Sequence, residues 1–520
     1  MNLLVDQWIP VRPPHPGGSE KISLRTLLCN TDEWKLCLPR DDMELAALQL
    51  LICLVQVLLT PNNTVALKRR IAKPLTDDEY DGAVELYSDW FRLDHPTHPF
   101  MQVRGVAAGE TTQMDKLLVG LTGATNSCFV NQPGQGDRLC GGCTAIALFN
   151  QASCAPSFGG GFKAGLRGSA PVTTLVQGPH LRQTVWLNVL NEDFLGNQMT
   201  WYGKTKDQKP TWCDPIKAGD TITASQIGMA RGLLWQPAHI ELMPPRGPSV
   251  CSCCGAQAAE IYTDFKKAKF SFTVMGTWPH PHSPRIMTDK KGTIDEKFVA
   301  FTTDAPSWTQ LGRFVVRREL NDVNEEGQQP SAVVLQVRQL YGENAEKLHL
   351  LVGGYRNNQA SILERRHEVF TLNHGWDSHI DAVNEMVKLG IGYRDALYKS
   401  LWLFAVGMKE AKGDKSKRFK GAGITIYNGA KARYYRRTEP LIQRTLDGMN
   451  FSNPGPDLET MQATLKQITT DLFLEQVKPY RQDPELIKTM AFAKRTLYKH
   501  MRNLEPQQDK GGNDGKTPIA

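Results

Sequence analysis

Phe129-Val-Asn-Gln-Pro-Gly-Gln-Gly-Asp-Arg-Leu139 runs directly into Cys140-Gly-Gly-Cys143, and a second cluster, Cys251-Ser-Cys253-Cys254, stands far downstream. Each cluster offers two thiolates at C-x2-C spacing, which lets two sulfurs bind one ion from a tight turn. Four thiolates make a closed tetrahedral zinc site, normally structural rather than catalytic. The expected ligands are Cys140, Cys143, Cys251 and Cys254. Cys253 competes with Cys254, and the spacing favours Cys254. Such a site ties two distant segments together and clips the end of an amide-rich loop whose apolar tip is Phe129-Val130, followed by Asn131. Two other readings compete. Buried cysteines also serve as small apolar residues. A thioredoxin-like redox pair needs one cluster opening a helix in a βαβ unit and has no use for the other.

Working outward, the chain has 520 residues, 41% hydrophobic and 22% charged, which indicates a globular protein of more than one domain. A net charge of +7 is compatible with nucleic acid without requiring it. The eleven cysteines are scattered, and the opening Met1-Asn2-Leu3-Leu4-Val5-Asp6 has no basic n-region and meets an acid early, unlike a secretory leader. A reducing cytoplasm is expected, and there such pairs favour metal over disulfide. The one long apolar run, Leu45 to Leu59, is interrupted by Gln49 and Gln56 and falls short of the about 20 residues a bilayer span needs. It reads as a buried core helix with Asp41 and Asp42 at its N-cap.

The pattern predicts an α+β fold. Residues 1–377 mix element types, with strands over Leu3–Val11, Thr184–Val189, Phe270–Val274 and Phe314–Arg317, helices around 43–59 and 78–93, and several long loops. Residues 378–505 change texture. Leu397, Leu401, Phe404 and Met408, then Leu458, Met461, Leu465, Ile468 and Leu472, then Leu486, Met490, Ala493 and Leu497 recur at helical spacing. With a further helix around 427–449, kinked or restarted at Pro440, they predict a C-terminal four-helix bundle. The last helix opens on Asp483-Pro484, a cap followed by a first-turn proline. Residues 506–520 are polar and glycine-rich and read as a disordered tail.

Ser157-Phe158-Gly159-Gly160-Gly161-Phe162-Lys163, with Arg167 beyond it, is either a tight turn or a loop that presses backbone against a ligand. Its nominal fit to a dinucleotide fingerprint lacks a preceding strand. Phe265-Lys266-Lys267-Ala268-Lys269-Phe270 reads as a lysine-protected edge strand at its start, or as a basic finger for a nucleic-acid groove. Gly353-Gly-Tyr-Arg-Asn-Asn-Gln-Ala360 reads as an exposed turn whose amides suit base edges. Lys488, Arg495, Lys499 and Arg502 share one face of the last helix, and Lys431, Arg433, Arg436 and Arg437 form a second basic cluster. Each is either a solvated face or a track for phosphates. His280 and His282, in a stiff Pro-rich stretch, read as structural. No metalloprotease, nucleophile-elbow or P-loop motif is present in the sequence, which points away from hydrolase chemistry.

Taken together, Leu38-Pro-Arg-Asp-Asp-Met-Glu-Leu45, Phe129-Val-Asn-Gln-Pro-Gly-Gln-Gly136, Cys140-Gly-Gly-Cys143, Phe158-Gly-Gly-Gly-Phe-Lys163, Cys251-Ser-Cys-Cys254 and Gly353-Gly-Tyr-Arg-Asn-Asn-Gln359 resemble the CasA family, the large subunits of type I-E Cascade CRISPR surveillance complexes. The resemblance implies a protein without catalysis of its own. Such a subunit sits at the 5′ end of the crRNA, reads the protospacer-adjacent motif (PAM) in double-stranded target DNA and starts unwinding for R-loop formation. It works with other Cascade subunits and offers a surface to the helicase-nuclease. The resemblance maps the loop over residues 128–143, with Phe129, Val130 and Asn131, toward the crRNA and PAM. It maps a glycine loop onto Ser157–Gly161, including Phe158, Gly159 and Gly160, a lysine finger onto Lys269, and a glutamine wedge onto Gln359 with Asn358 beside it. Ser157 departs from the family's usual glycine, which bears on the PAM set tolerated. The rival to PAM reading is a zinc-stabilised scaffold that binds RNA and protein and ignores DNA sequence.

Overall fold

In the computed structural model, which describes residues 1–14, 17–121, 134–321, 326–341, 346–411 and 420–505, the apolar run near the N-terminus forms helix Asp41–Leu58. It is buried on nearly every side, as a helix without a polar face must be. The two glutamines that interrupt it are hydrogen-bonding hubs. Gln49 meets the His282 ring and accepts from Cys154 and Arg167, and Gln56 exchanges bonds with both backbone groups of Leu190. The N-cap position is Arg40, not Asp41 or Asp42, and its own side chain makes no capping bond; Asp41 and Asp42 instead accept from the amides of Asp42 and Met43, and Asp42 also pairs with the Arg40 guanidinium.

The chain falls into two units, Met1–Ser307 with Gly312–Ile380, and Trp308–Leu311 with the chain from Asp381 on. The first mixes helices with several small sheets. Its longest strands, Leu348–Asn358 and Ser361–Leu372, form an antiparallel hairpin joined by two residues, Gln359 and Ala360. Thr173–Val176 adds a third strand. Gly353 and Gly354 therefore lie within a strand rather than in the exposed turn expected of them. A Cβ on Gly353 would come 2.4 Å from Leu45 Cδ2, so glycine is needed for the hairpin to pack on the core helix.

Two expected strands are helices. Thr184–Val189 falls mostly in Leu181–Leu187, and Phe314–Arg317 overlaps Leu311–Val315. Thr184–Val189 and Phe314–Val316 are buried throughout, and over so few residues periodicity does not separate strand from helix. Of Leu3–Val11 only Ile9–Arg12 includes strand, and the strand expected from Phe270 begins at Thr273. The predicted helix around 78–93 ends at Glu85 and gives way to a 3-10 turn over Ser88–Phe91.

The described residues of the second unit hold four long helices: Asp381–Ala411, Lys420–Gly448, which runs on through Pro440, Gly455–Val477 and Ile487–Arg502. Each packs on at least two of the others. Leu397, Leu401 and Phe404 from the first, Tyr434 and Leu446 from the second, Leu465 and Leu472 from the third, and Ala493 and Leu497 from the last are all buried. Asp483 accepts from the Glu485 amide and starts a 3-10 turn, Pro484–Leu486, from which the last helix continues. Residues Phe129, Val130 and Asn131 and the tail from Pro506 lie outside the described residues. Among the described residues no helix is long and apolar enough to cross a membrane.

Candidate cysteine centre and nucleic-acid interface

Cys140 ends the short strand Leu139–Cys140, which pairs with Ile261–Tyr262, and Cys143 lies in the first turn of helix Gly141–Ser153. Cys251 and Cys254 come from the turn of a small hairpin, Ser249–Val250 with Gln257–Ala258, closed by Gly255 at φ +74°. The two segments meet so that the Sγ atoms of Cys140, Cys143, Cys251 and Cys254 all lie within 4.8 Å of one another. Cys140 Sγ is 3.8 Å from Cys254 Sγ. A tetrahedral zinc with Zn–S bonds of about 2.3 Å has S···S edges of about 3.8 Å, so the donor set fits a closed thiolate site. Cys253 is buried beside Cys143 but outside that set. The two glycines of Cys-Gly-Gly-Cys have steric reasons. A Cβ on Gly141 would lie 2.8 Å from Met1 Sδ, and one on Gly142 would lie 2.8 Å from the Trp8 carbonyl.

The sulfurs shape each other's protonation. Hydrogen bonds from Cys143, Cys251 and Cys254 drive the Cys140 pKa far below the usual thiol range, while contact with Cys140 pushes Cys143 up. Lys21 places its Nζ 3.1 Å from Cys140 Sγ. Burial pulls the Lys21 pKa down, but the charge on Cys140 and Cys254 and the bond to Cys140 outweigh it and raise the value overall. The Cys140 amide also donates to Cys251 Sγ at 3.3 Å. These contacts would offset part of the negative charge if all four sulfurs were thiolates.

Ser252, between the cysteines, pins the loop that precedes them. Its hydroxyl accepts from the amides of Gly136 and Arg138, both at 3.1 Å, and donates to the Arg138 carbonyl at 2.9 Å. Nothing in the sequence marked Ser252 or Lys21 for such roles, since each acts through tertiary contact.

Helix Gly141–Ser153 leads from the cysteines to the glycine loop. At its far end the wholly buried Arg167 binds the Ser153 carbonyl and hydroxyl, Thr173, Ser283 and Gln49. Gly159, Gly160 and Gly161 then take φ of +79°, +57° and +88°, a run of left-handed backbone that side chains disfavour. Ser157 is folded back, its hydroxyl accepting from the Gly159 amide at 3.3 Å. Phe158 is half-buried against Phe162 and Phe265.

Three pieces far apart in sequence converge here. The Lys269 ammonium donates to the Gly160 carbonyl at 3.3 Å, and a Cβ on Gly159 would lie 3.1 Å from Ala360 Cβ at the hairpin tip. Gly160, Gly161, Lys269, Asn358 and Gln359 are all exposed. The lysine-bearing strand Asp264–Ala268 is the middle of a three-stranded sheet, not an edge, and Lys269 follows its end rather than its start. Phe270 stacks on His239 at 4.2 Å, so the backbone is fixed on both sides of Lys269. Gln359 has φ +54°, unusual for a side-chain-bearing residue, and its carbonyl accepts from Asn357 at 2.6 Å.

The hairpin is braced from below. The Tyr355 hydroxyl donates to Asp42 Oδ2 at 2.9 Å and accepts from Asn150 Nδ2 at 2.8 Å. Asp42 pairs with Arg40 at 2.7 Å, each side chain only 5% exposed, and Arg365 of the second hairpin strand reaches Asp41 at 3.2 Å. Asn150 belongs to the cysteine-started helix, so one hydroxyl joins that helix, the hairpin and the core helix.

The remaining candidates separate. His280 and His282 are buried in the core, where desolvation holds both pKa values down, His282 at about 3. Of the second basic cluster, Arg433 and Arg437 both pair with Glu475. Lys488, Arg495, Lys499 and Arg502 belong to the other unit and are all exposed.

The chain matches the family described as CRISPR-associated protein Cse1 over residues 2–472. It belongs to that family, also called CasA. Among solved structures it is similar to Thermus thermophilus CasA (Cse1), at 16% identity over 97% of this chain and 99% of that one, with a TM-score of 0.71. Thermobifida fusca Cse1 is similar at 16% identity over 97% of each chain, with a TM-score of 0.71. A chain of a CRISPR RNA-guided surveillance complex matches at 15% identity over 96% of this chain and 99% of that one, with a TM-score of 0.64. At these identities the likeness establishes the fold.

Proposed function

We propose that this protein is the non-catalytic large subunit of a type I-E Cascade complex, working with crRNA and the other subunits in the cytoplasm. In this reading it recognises the PAM in target duplex DNA, begins its opening and helps recruit the helicase-nuclease. The observation that carries the reading is the convergence of Gly160, Lys269 and the Gln359 hairpin tip on one exposed patch. Family membership supplies the context. The minor groove presents a degenerate code, mostly A·T against G·C, which a bare backbone loop and one cation read loosely. Guide pairing then reads the sequence itself. A hairpin tip wedged beneath the PAM offsets unstacking that costs a few kcal/mol per step.

The four cysteines hold a structural zinc, which supplies folding energy and keeps residues 134–140 against the Cys251–Cys254 turn. The four C-terminal helices form the bundle that carries Lys488, Arg495, Lys499 and Arg502 as a track for the displaced strand. Reconstitution with crRNA and the partner subunits, followed by gel shifts on PAM and non-PAM duplexes, tests the reading. PAM-dependent binding supports it, and equal binding to both duplexes leaves a zinc-stabilised scaffold instead.

A further inference from the structure

On helix Ile487–Arg502, Lys488, Phe492, Arg495, Lys499 and Arg502 fall within one narrow arc, since successive residues turn by about 100°. Ala493, Leu497 and Met501, all fully buried, occupy the opposite side. Phe492 is 59% exposed and is not part of the buried interior. The helix contains no Asp or Glu. Glu505, just beyond it, pairs with Lys466 at 2.6 Å.

We infer that Phe492 is a base-stacking platform set in a phosphate track, and that this face of the last helix binds single-stranded nucleic acid in preference to duplex. The face extends about 21 Å from Lys488 to Arg502, room for a few nucleotides. Cations alone bind either form of nucleic acid, because both present phosphates. An exposed ring adds a contact only where bases are unstacked and reachable, and it tolerates any base because every base has a π-face. An apolar protein partner is the weaker match, since one aromatic ringed by four cations would leave those charges desolvated at its interface. The inference rests on the displaced-strand role proposed above and adds the residue that distinguishes strand from duplex.

The test uses the full chain and a fluorescent oligothymidine, with a duplex of the same length as comparison. Phe492→Ala is expected to weaken oligothymidine binding by on the order of tenfold. It should leave duplex binding, PAM preference and the salt slope unchanged, while Phe492→Tyr retains affinity and Phe492→Leu does not. Replacing Lys488, Arg495 and Arg502 with Ala should instead lower the single-strand salt slope by about 2. Wild-type affinity in Phe492→Ala, rescue by Leu equal to that by Tyr, or equal loss on strand and duplex overturns the inference. Loss of protein-partner binding with strand binding intact also overturns it. A wild-type protein that binds oligothymidine through Phe492 but shows no PAM preference removes the PAM reading and leaves the stacking site standing.

Discussion

The Lys269 ammonium lies 3.3 Å from the Gly160 carbonyl, joining two segments more than a hundred residues apart in sequence. The contact uses one of three donors, and both partners are exposed. The lysine is held over the loop with donors left for a groove edge. Lys269→Ala is therefore expected to reduce discrimination between PAM and non-PAM duplexes by about tenfold, the value of one hydrogen bond to a charged group. Competition gel shifts check it, and unchanged discrimination takes Lys269 out of the reader.

Tyr355→Phe removes the group that joins Asp42 to Asn150. Leaving buried polar partners unsatisfied costs about 1–3 kcal/mol, visible as a lower denaturant midpoint. Because the hairpin tip is braced through this hydroxyl, DNA opening should fall while PAM binding falls less. A variant as stable as wild type contradicts the account of the brace.

Removing a cysteine and removing Ser252 should have different signatures. Cys140→Ser is expected to lose bound zinc by metal analysis and to loosen both the 134–140 segment and the Cys251 turn. Ser252→Ala should keep the metal yet speed hydrogen exchange at the Gly136 and Arg138 amides, which it accepts from directly. Cobalt substitution adds a spectrum, and a water in the metal shell contradicts a closed four-thiolate site.

Some of this was legible in the chain and some was not, for physical reasons. The meeting of Cys140, Cys143, Cys251 and Cys254 was readable because two clusters at C-x2-C spacing suit one shared centre. Leu397, Leu401 and Phe404 were readable because a helix with one buried face repeats its apolar residues. Thr184–Val189 reads as a strand but lies mostly in a helix, because a helix buried nearly all round has no such signature. Gly353 and Gly354 read as a turn because glycine permits turns and close packing alike, and only tertiary neighbours decide between them: Leu45 and the Arg366 carbonyl at Gly353, the Pro171 carbonyl at Gly354. The glycine loop, Lys269 and Gln359 were each named from motifs carried by the family resemblance. Their meeting at one patch is a property of tertiary structure, as are the parts of Lys21, Ser252 and Tyr355.

The central claim concerns Gln359, exposed at the hairpin tip with a left-handed backbone. The most direct measurement places a fluorescent base analogue beside the PAM and follows duplex opening by the crRNA-loaded complex, with PAM binding measured in parallel. The account predicts PAM-dependent opening by wild type and, for Gln359→Ala, opening slowed far more than PAM binding is weakened. Opening that ignores the PAM, or a Gln359→Ala complex that opens DNA at the wild-type rate, contradicts it.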